Sequence, residues 1–487
     1  MNKELLTLEP QSLWTRFAEI CDVPRPSYHE EKIREYLVEF AKKNNIEYTV
    51  DKGNNIIMRK PATEGMENRK TIVLQAHVDM VPQKNNDKVF DFTTDAIQPY
   101  IDGEFVTADG TTLGADNGIG ISAILAVLES KTIKHGNIEA LFTATEETGM
   151  DGANGLEPGV LKADILLNLD SEEEGELCIG CAGGLDFNAT IPYESIKLQN
   201  DEFTGFELEI TGLKGGHSGI DIILQRANAN KLLARFLKNT QEKYGVILSH
   251  IDGGSLRNAI PREARATVAV LKRYKNAFKK AVKKYEALYN KEYAGIEDHI
   301  EFNVTPCACP KKCIDLFDQC NFVDAIICCP NGVVKMDPSI PNMVQTSTNL
   351  ARVVSERGRF HISALLRSSV DSEKEDLALN MKTVLELANG RVKLSGGYQG
   401  WAPNPHSVIL KTMSDGYENL FGKRPSVGAV HAGLECGIIG GKYPEMDMIS
   451  FGPSIFHPHS PNEKVDIASV GRFWQYLVYT LENAPSL

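Results

Sequence analysis

Lys70-Thr-Ile-Val-Leu-Gln-Ala-His-Val-Asp79 is the stretch on which the fold turns. The run from Lys70 to Ala76 is short, mostly apolar and β-branched, so it reads as a buried strand. His77 and Asp79 follow at its carboxyl end, and the two-residue period of a strand puts both on one face. A neutral imidazole bound to a metal needs its other ring nitrogen anchored, and a carboxylate two residues on can anchor it. His77 is therefore a candidate ligand and Asp79 its supporting partner.

The pattern recurs along the chain. Asn137 to Thr145 reads as a strand ending in Glu146-Glu147, and Ala163 to Leu169 as one ending in Asp170. Met446 to Phe451 reads as another strand, followed by a loop carrying His457 and His459, and Asp466 to Leu481 as a final amphipathic helix. Gly114-Ala-Asp-Asn-Gly118 precedes a largely buried helix from Ile119 to Leu128, with Asp116 and Asn117 where a cap would sit. Asp116 either caps that helix or projects into the same crevice as His77. Every candidate lies at the carboxyl end of a strand or the start of a helix, the edge where open α/β sheets place their sites.

Adjacent carboxylates after a buried strand are costly to desolvate unless something positive compensates. Oxygen-rich ligands with an imidazole at each end suit a pair of borderline divalent ions, whereas a structural zinc site would be closed and rich in cysteine. Asp116 can bridge the two ions. His77 and Asp170 then hold one, and Glu147 with one of the late histidines the other, at a separation of about 3.5–4 Å. Glu146 is left free to take a proton from a metal-bridging water and pass it to a leaving amine. The chemistry is metal-assisted amide hydrolysis.

The bulk numbers agree. A chain of 487 residues, 42% of them hydrophobic, fills two substantial cores. Lys plus Arg number 52 against 65 Asp plus Glu, a net charge of −13 that repels nucleic acid and anionic membrane and favours a small-molecule or peptide ligand. The first residues do not read as a secretory signal, and no run reaches the roughly 18 to 20 apolar residues of a spanning helix. The expected location is cytoplasmic, where the ten cysteines are reduced thiols. Cys178 and Cys181 have C-x-x-C spacing without a helix start to activate a thiol. Cys307, Cys309 and Cys313, near Cys320, Cys328 and Cys329, match no zinc module.

Strand-end ligands stop after Asp170 and resume only near the C-terminus, so the intervening segment reads as an inserted α+β unit. Its expected elements are a strand at Phe206 to Leu213, a helix at Ala227 to Gln241, paired strands within Val246 to Val270 and a basic helix at Ala277 to Tyr289. Further strands within Leu350 to Arg367 and a helix at Glu373 to Ala388 follow. Ser255-Leu-Arg-Asn258-Ala259 and Ser347-Thr348-Asn349-Leu350 hint faintly at a repeat.

Gln75-Ala-His-Val-Asp-Met-Val-Pro82, Thr112-Leu-Gly-Ala-Asp-Asn-Gly118, Ala144-Thr-Glu-Glu-Thr-Gly149, Leu167-Asn-Leu-Asp170, Gly215-Gly-His-Ser-Gly219 and His459-Ser-Pro-Asn-Glu463 together resemble the two-metal aminopeptidase and deacylase superfamily, which includes aminoacyl-histidine dipeptidases. The resemblance spans nearly the whole chain. It implies an α/β fold, with a mixed-sheet zinc-peptidase-like catalytic domain over 1–185 and 394–487 and an inserted α+β lid domain over 186–393 that often serves dimerisation. It also implies metal ligands His77, Asp116, Glu147, Asp170 and His459, with Glu146 as general base, Asp79 as its supporting acid, and a cis peptide between Asp116 and Asn117. His217 matches a histidine that stabilises the oxyanion. Asn258 and Arg367 match residues that hold the substrate's carboxylate end, and Gly433 and Glu435 match the catalytic-domain wall of the pocket.

A dipeptidase must recognise both termini, and Arg367 for the carboxylate with Glu435 for the amine supplies complementary charges. The expectation is a cytoplasmic, homodimeric dipeptidase with two divalent ions, zinc foremost, then manganese or cobalt. It would hydrolyse unblocked Xaa-His dipeptides including β-alanyl-histidine, without nucleic-acid or membrane partners. The alternative is an N-acyl amino acid deacylase built on the same two-metal site.

Overall fold

The Lys70 run forms the strand Ile72–His77, buried along its whole length in a computed structural model that describes residues 3–198 and 202–487. The chain divides into two units: the first runs to Gly180 and resumes over Trp401–Ala429 and Leu434–Leu487, and the second comprises Cys181–Gly400 with Val430–Gly433.

The first unit is built on an eight-stranded mixed sheet. Its order is Glu47–Val50, Ile56–Lys60, Ile138–Thr143, Ile72–His77, Ile165–Asn168, Asp447–Ser450, Glu176–Cys181, Ser426–Val430. Four central strands are parallel: Ile72–His77 pairs in that sense with both Ile138–Thr143 and Ile165–Asn168, and Asp447–Ser450 with Ile165–Asn168. Parallel strands need cover on both faces, which is why these segments read as continuous apolar runs. The helix Ala115–Glu129 is apolar nearly all round and buried throughout its interior, as a helix inside a core must be. The final helix, Ile467–Glu482, starts where the Asp466 side chain accepts from the Ser469 N–H.

In the second unit nine strands form an antiparallel sheet. Alternation along Phe203–Thr211 sends Phe206, Leu208 and Ile210 into the core and leaves Glu207 exposed. Four helices, Ala229–Tyr244, Lys275–Glu292, Leu316–Cys328 and Asp371–Leu387, add Phe236, Phe278, Phe322 and Met381 to that core. Asn228 caps the first of them through the Asn230 and Lys231 N–H groups, and Gly245, at φ +62°, ends it.

One expectation is corrected here. The Ser255 and Ser347 fragments are no structural repeat, since the first lies in the connection after Ile247–Gly254 and the second inside Val344–Glu356. The cysteine-rich segment also contains the helix Leu316–Cys328, whose Asp315 cap is followed by a buried apolar face. Among the described residues no helix is long and apolar enough to cross a membrane.

Candidate metal centre

Strand register brings the candidates to one edge of the first unit's sheet. His77 sits opposite Thr143, three residues before Glu146, and Gln75 opposite Asn168, two before Asp170. His77 Nε2 lies 2.9 Å from Asp116 Oδ1 and 3.3 Å from Asp170 Oδ1. His459 Nε2 lies 3.1 Å from Asp116 Oδ2 and 3.1 Å from Glu147 Oε2. The two oxygens of Asp116 thus face two different imidazoles.

Asp116 does not cap its helix. Gly114 occupies the cap position in a left-handed conformation, and Asp116 and Asn117 depart from helical geometry around a cis peptide bond. Among the described residues, three groups have ligand atoms within 4.8 Å of one another: His77–Asp116–Asp170, His77–Glu146–Glu147 and Asp116–Glu147–His459. His457 and the cysteines belong to none of them.

Asp79 is fully buried and organises the strand end. Its Oδ1 stands 3.3 Å from His77 Nδ1 and accepts the Glu146 N–H at 2.9 Å, while Oδ2 accepts the Glu147 N–H at 3.2 Å and the Ser27 hydroxyl at 2.8 Å. Thr145, at φ +54°, turns the chain from strand into the glutamate pair, and its hydroxyl donates to Glu30 at 2.7 Å. Glu435 lies beneath the site, where Oε2 accepts from Gln75 Nε2 at 2.6 Å and from the Thr143 hydroxyl at 2.7 Å, and Oε1 is buried without a partner. Burial pushes its carboxyl up to about 8.

Crowded acids and two imidazoles determine the protonation. Hydrogen bonds to Asp116 and Glu147 push His459 up to about 11. Burial pulls His77 down, but Asp170, Asp116 and Asp79 outweigh it and hold the imidazole well above its ordinary value. Burial raises Asp170 to about 6 and Glu146 well above the usual carboxylate range. Protons on the imidazoles are the positive charge available to these acids, and they leave Glu147 Oε1 buried and unpartnered. An orphaned carboxylate oxygen in a nitrogen- and oxygen-donor cluster fits a hard or borderline divalent cation.

The second unit gathers a separate set. His217 sits in a glycine turn in which Gly215 has φ +65° and Gly216 φ +132°. Its Nδ1 accepts from the Gly219 and Ile220 N–H groups, each at 3.2 Å, so the neutral ring carries its proton on Nε2. Burial and the charge of Arg367 hold its pKa below the ordinary value, favouring that neutral form. The Asn258 carbonyl accepts the Ser218 N–H at 2.8 Å and so steadies the turn.

Arg367 pairs in register with Ser347, donates from Nη1 to the Tyr398 hydroxyl at 3.2 Å, and keeps a buried Nε without a partner. A side chain on Gly433 would meet the Tyr398 ring at 2.8 Å, so glycine alone leaves room for it. Sequence reasoning missed Tyr398 and also His431, which lies 2.7 Å from the Ser347 hydroxyl and which burial, with Arg367 and His217 nearby, pushes down to about 3. The only signal for His431 was its place two residues before Gly433. Gly433 and Glu435, two residues apart, belong to different units.

The profile of peptidase family M20/M25/M40 matches residues 73–483. The cytosol non-specific dipeptidase of Escherichia coli (strain K12) is 46% identical over 483 residues, covering 99% of both chains. The crystal structure of an aminoacylhistidine dipeptidase from Vibrio alginolyticus superposes with a TM-score of 0.97 at 46% identity, over 100% of this chain and 99% of that one. An aminopeptidase, PepT, from Bacillus cereus shares the fold at a TM-score of 0.57 and 17% identity, over 98% of this chain and 99% of that one.

Proposed function

This chain belongs to peptidase family M20/M25/M40, and from that premise we propose that it is a dipeptidase that holds two divalent metal ions and hydrolyses unblocked dipeptides. The observation that carries the reading is Asp116, whose Oδ1 and Oδ2 face His77 and His459 separately, as a carboxylate bridging two cations would. His77 and Asp170 would hold one ion and Glu147 and His459 the other. Zinc suits this donor set, as do manganese and cobalt. When bound, such a pair supplies Lewis acidity that lowers the pKa of water toward neutrality and polarises a carbonyl.

The chain's own residues then divide the work. Glu146 accepts the water's proton as the oxygen bonds to the carbonyl carbon, and returns it to the amine nitrogen as the C–N bond breaks. In the metal-free protein burial, with the neighbouring acids, holds its carboxyl well above the usual carboxylate range. Asp79 orients His77 through Nδ1 and holds the Glu146 and Glu147 backbone in place. His217, with its proton on Nε2, donates to the developing oxyanion. Arg367 and Asn258 take the substrate carboxylate, Glu435 takes the amine through its unpartnered Oε1, and Gly433 is part of the same proposal.

Relatives described as a cytosol non-specific dipeptidase and an aminoacylhistidine dipeptidase, each 46% identical, support dipeptides as the substrate class. The aminoacylhistidine dipeptidase supports Xaa-His peptides among the substrates and the cytosol dipeptidase a cytoplasmic location; β-alanyl-histidine is proposed with them. A homodimer is part of the same proposal. The test supplies purified enzyme in metal-defined buffer with free-amine dipeptides and their N-acylated counterparts. Cleavage of the free-amine series is expected; cleavage of the acylated series alone would establish a deacylase instead.

A further inference from the structure

We propose that Arg25 and Glu463 are positioning residues that set the spacing of the two ion-holding groups by clamping the Asp116 segment, one through a backbone carbonyl and the other through its N–H groups. The inference rests on the dinuclear reading above. Three separate segments supply the imidazoles and the shared carboxylate: the strand end at His77, the non-helical first residues of Ala115–Glu129, and the loop carrying His459. Nothing local in the sequence holds these segments at a fixed separation.

Arg25 is 2% exposed. Its Nη1 donates to the Val78 and Asp79 carbonyls at 3.0 and 2.8 Å, and its Nη2 donates to the Gly114 carbonyl. One planar guanidinium therefore joins the His77 strand end to the Asp116 loop. The Arg25 backbone is itself fixed to that strand end, since its carbonyl accepts the Met80 N–H at 3.1 Å. Glycines make the room: a Cβ on Gly114 would stand 2.6 Å from Arg25 Nη2, and one on Gly118 2.8 Å from it.

Glu463, also 2% exposed, holds the N–H groups. Its Oε2 accepts the Leu113 and Gly114 N–H groups at 2.8 and 2.9 Å, and Oε1 accepts those of Ala115 and Asp116 at 2.7 and 3.3 Å. Four consecutive backbone donors thus converge on one carboxylate, four residues after His459. The clamp ties the Asp116 loop to the His459 loop. Neither residue approaches a reacting atom; both act through Asp116. A guanidinium and a carboxylate with this many directed bonds resist displacement when like-charged ligands crowd the site, and a shared ligand held in place lets the second ion bind beside the first.

The experiment titrates metal-free protein with zinc against a chromogenic chelator, giving stoichiometry and stepwise dissociation constants, with thermal melts of the same metal-free samples. The variants are Glu463→Gln, Arg25→Lys and Arg16→Met. The last breaks the Arg16–Glu129 pair, elsewhere in the same unit. Glu463→Gln and Arg25→Lys are expected to weaken the second binding step by about 10- to 100-fold, the usual range for outer partners of metal ligands. Arg16→Met should lower the melting temperature and leave both steps unchanged.

Second-step constants within threefold of wild type in both clamp variants would overturn the inference, as would an equal weakening in Arg16→Met. Should Glu463→Gln not fold, Arg25→Lys alone decides by the same criterion. If wild type binds only one ion, the dinuclear reading itself fails, a result distinct from unchanged constants on a two-ion protein.

Discussion

Replacing Glu146 with Gln separates metal holding from proton transfer with little change of shape. The substitution preserves side-chain volume and the Glu146 N–H to Asp79 bond at 2.9 Å. Two of the three ligand groups, His77–Asp116–Asp170 and Asp116–Glu147–His459, do not include it, so two ions should remain bound. Loss of a general base lowers kcat by about 10²- to 10⁴-fold, or roughly 2.7–5.4 kcal/mol of barrier at 1.36 kcal/mol per decade. KM should stay near its wild-type value.

The structure adds a second signature with a defined sign. Burial, aided by the charges of Asp170, Glu435 and Glu147 against the opposing His77, holds the folded-state pKa of Glu146 well above 4.5. The folded protein then binds this proton more tightly than the unfolded chain, so the group's contribution to stability falls as pH climbs from 4.5 through the raised folded value. Metal-free Glu146→Gln should consequently melt above metal-free wild type at neutral and alkaline pH, and the gap should close as pH falls to 4.5. Steady-state kinetics, metal analysis and chelated thermal melts across pH test both signatures. Turnover within threefold of wild type, or loss of turnover accompanied by loss of an ion, would refute the assignment.

Further outcomes follow from the same geometry. His217→Ala is expected to lower kcat by about 10²- to 10³-fold, the cost of one oxyanion donor, with the melting temperature unchanged; a change in KM alone would contradict the role. Arg367→Ala removes a charged hydrogen bond worth about 1.5–3 kcal/mol and should raise KM for dipeptides roughly 10- to 100-fold, with dipeptide amides nearly indifferent. Gly114→Ala forces an L-residue to φ +72° at about 1–2 kcal/mol and should lower the melting temperature. Chelation should destabilise the first unit by about 2.7 kcal/mol for each site previously held at a hundredfold excess over its Kd, and zinc should restore it; a melting temperature indifferent to chelator would contradict ion binding there.

The strand pattern at Lys70, Asn137, Ala163 and Met446 was legible because a buried strand needs an apolar run, and a polar residue just after it marks the sheet edge. An open α/β sheet follows from that pattern, whereas its mixed character was implied by the family resemblance. The roles of Arg25 and Glu463 were invisible for the converse reason: their partners are backbone groups 53 and 350 positions away, and a backbone carbonyl or N–H has no letter in a sequence. Tyr398 was hidden likewise, since its place depends on Gly433 leaving room for its ring.

The sequence by itself determined which residue types would meet at one edge, because periodicity and strand polarity are local properties that each segment carries with it. It left open whether Asp116 caps its helix or projects toward His77, and whether His457 or His459 faces the acids. Those were decided by tertiary structure, where Gly114 takes the cap position and the loop after Asp447–Ser450 brings His459 Nε2 to 3.1 Å from both Asp116 and Glu147. Distances of that order depend on buried hydrogen bonds between segments hundreds of residues apart, which exist only once the chain has closed around them.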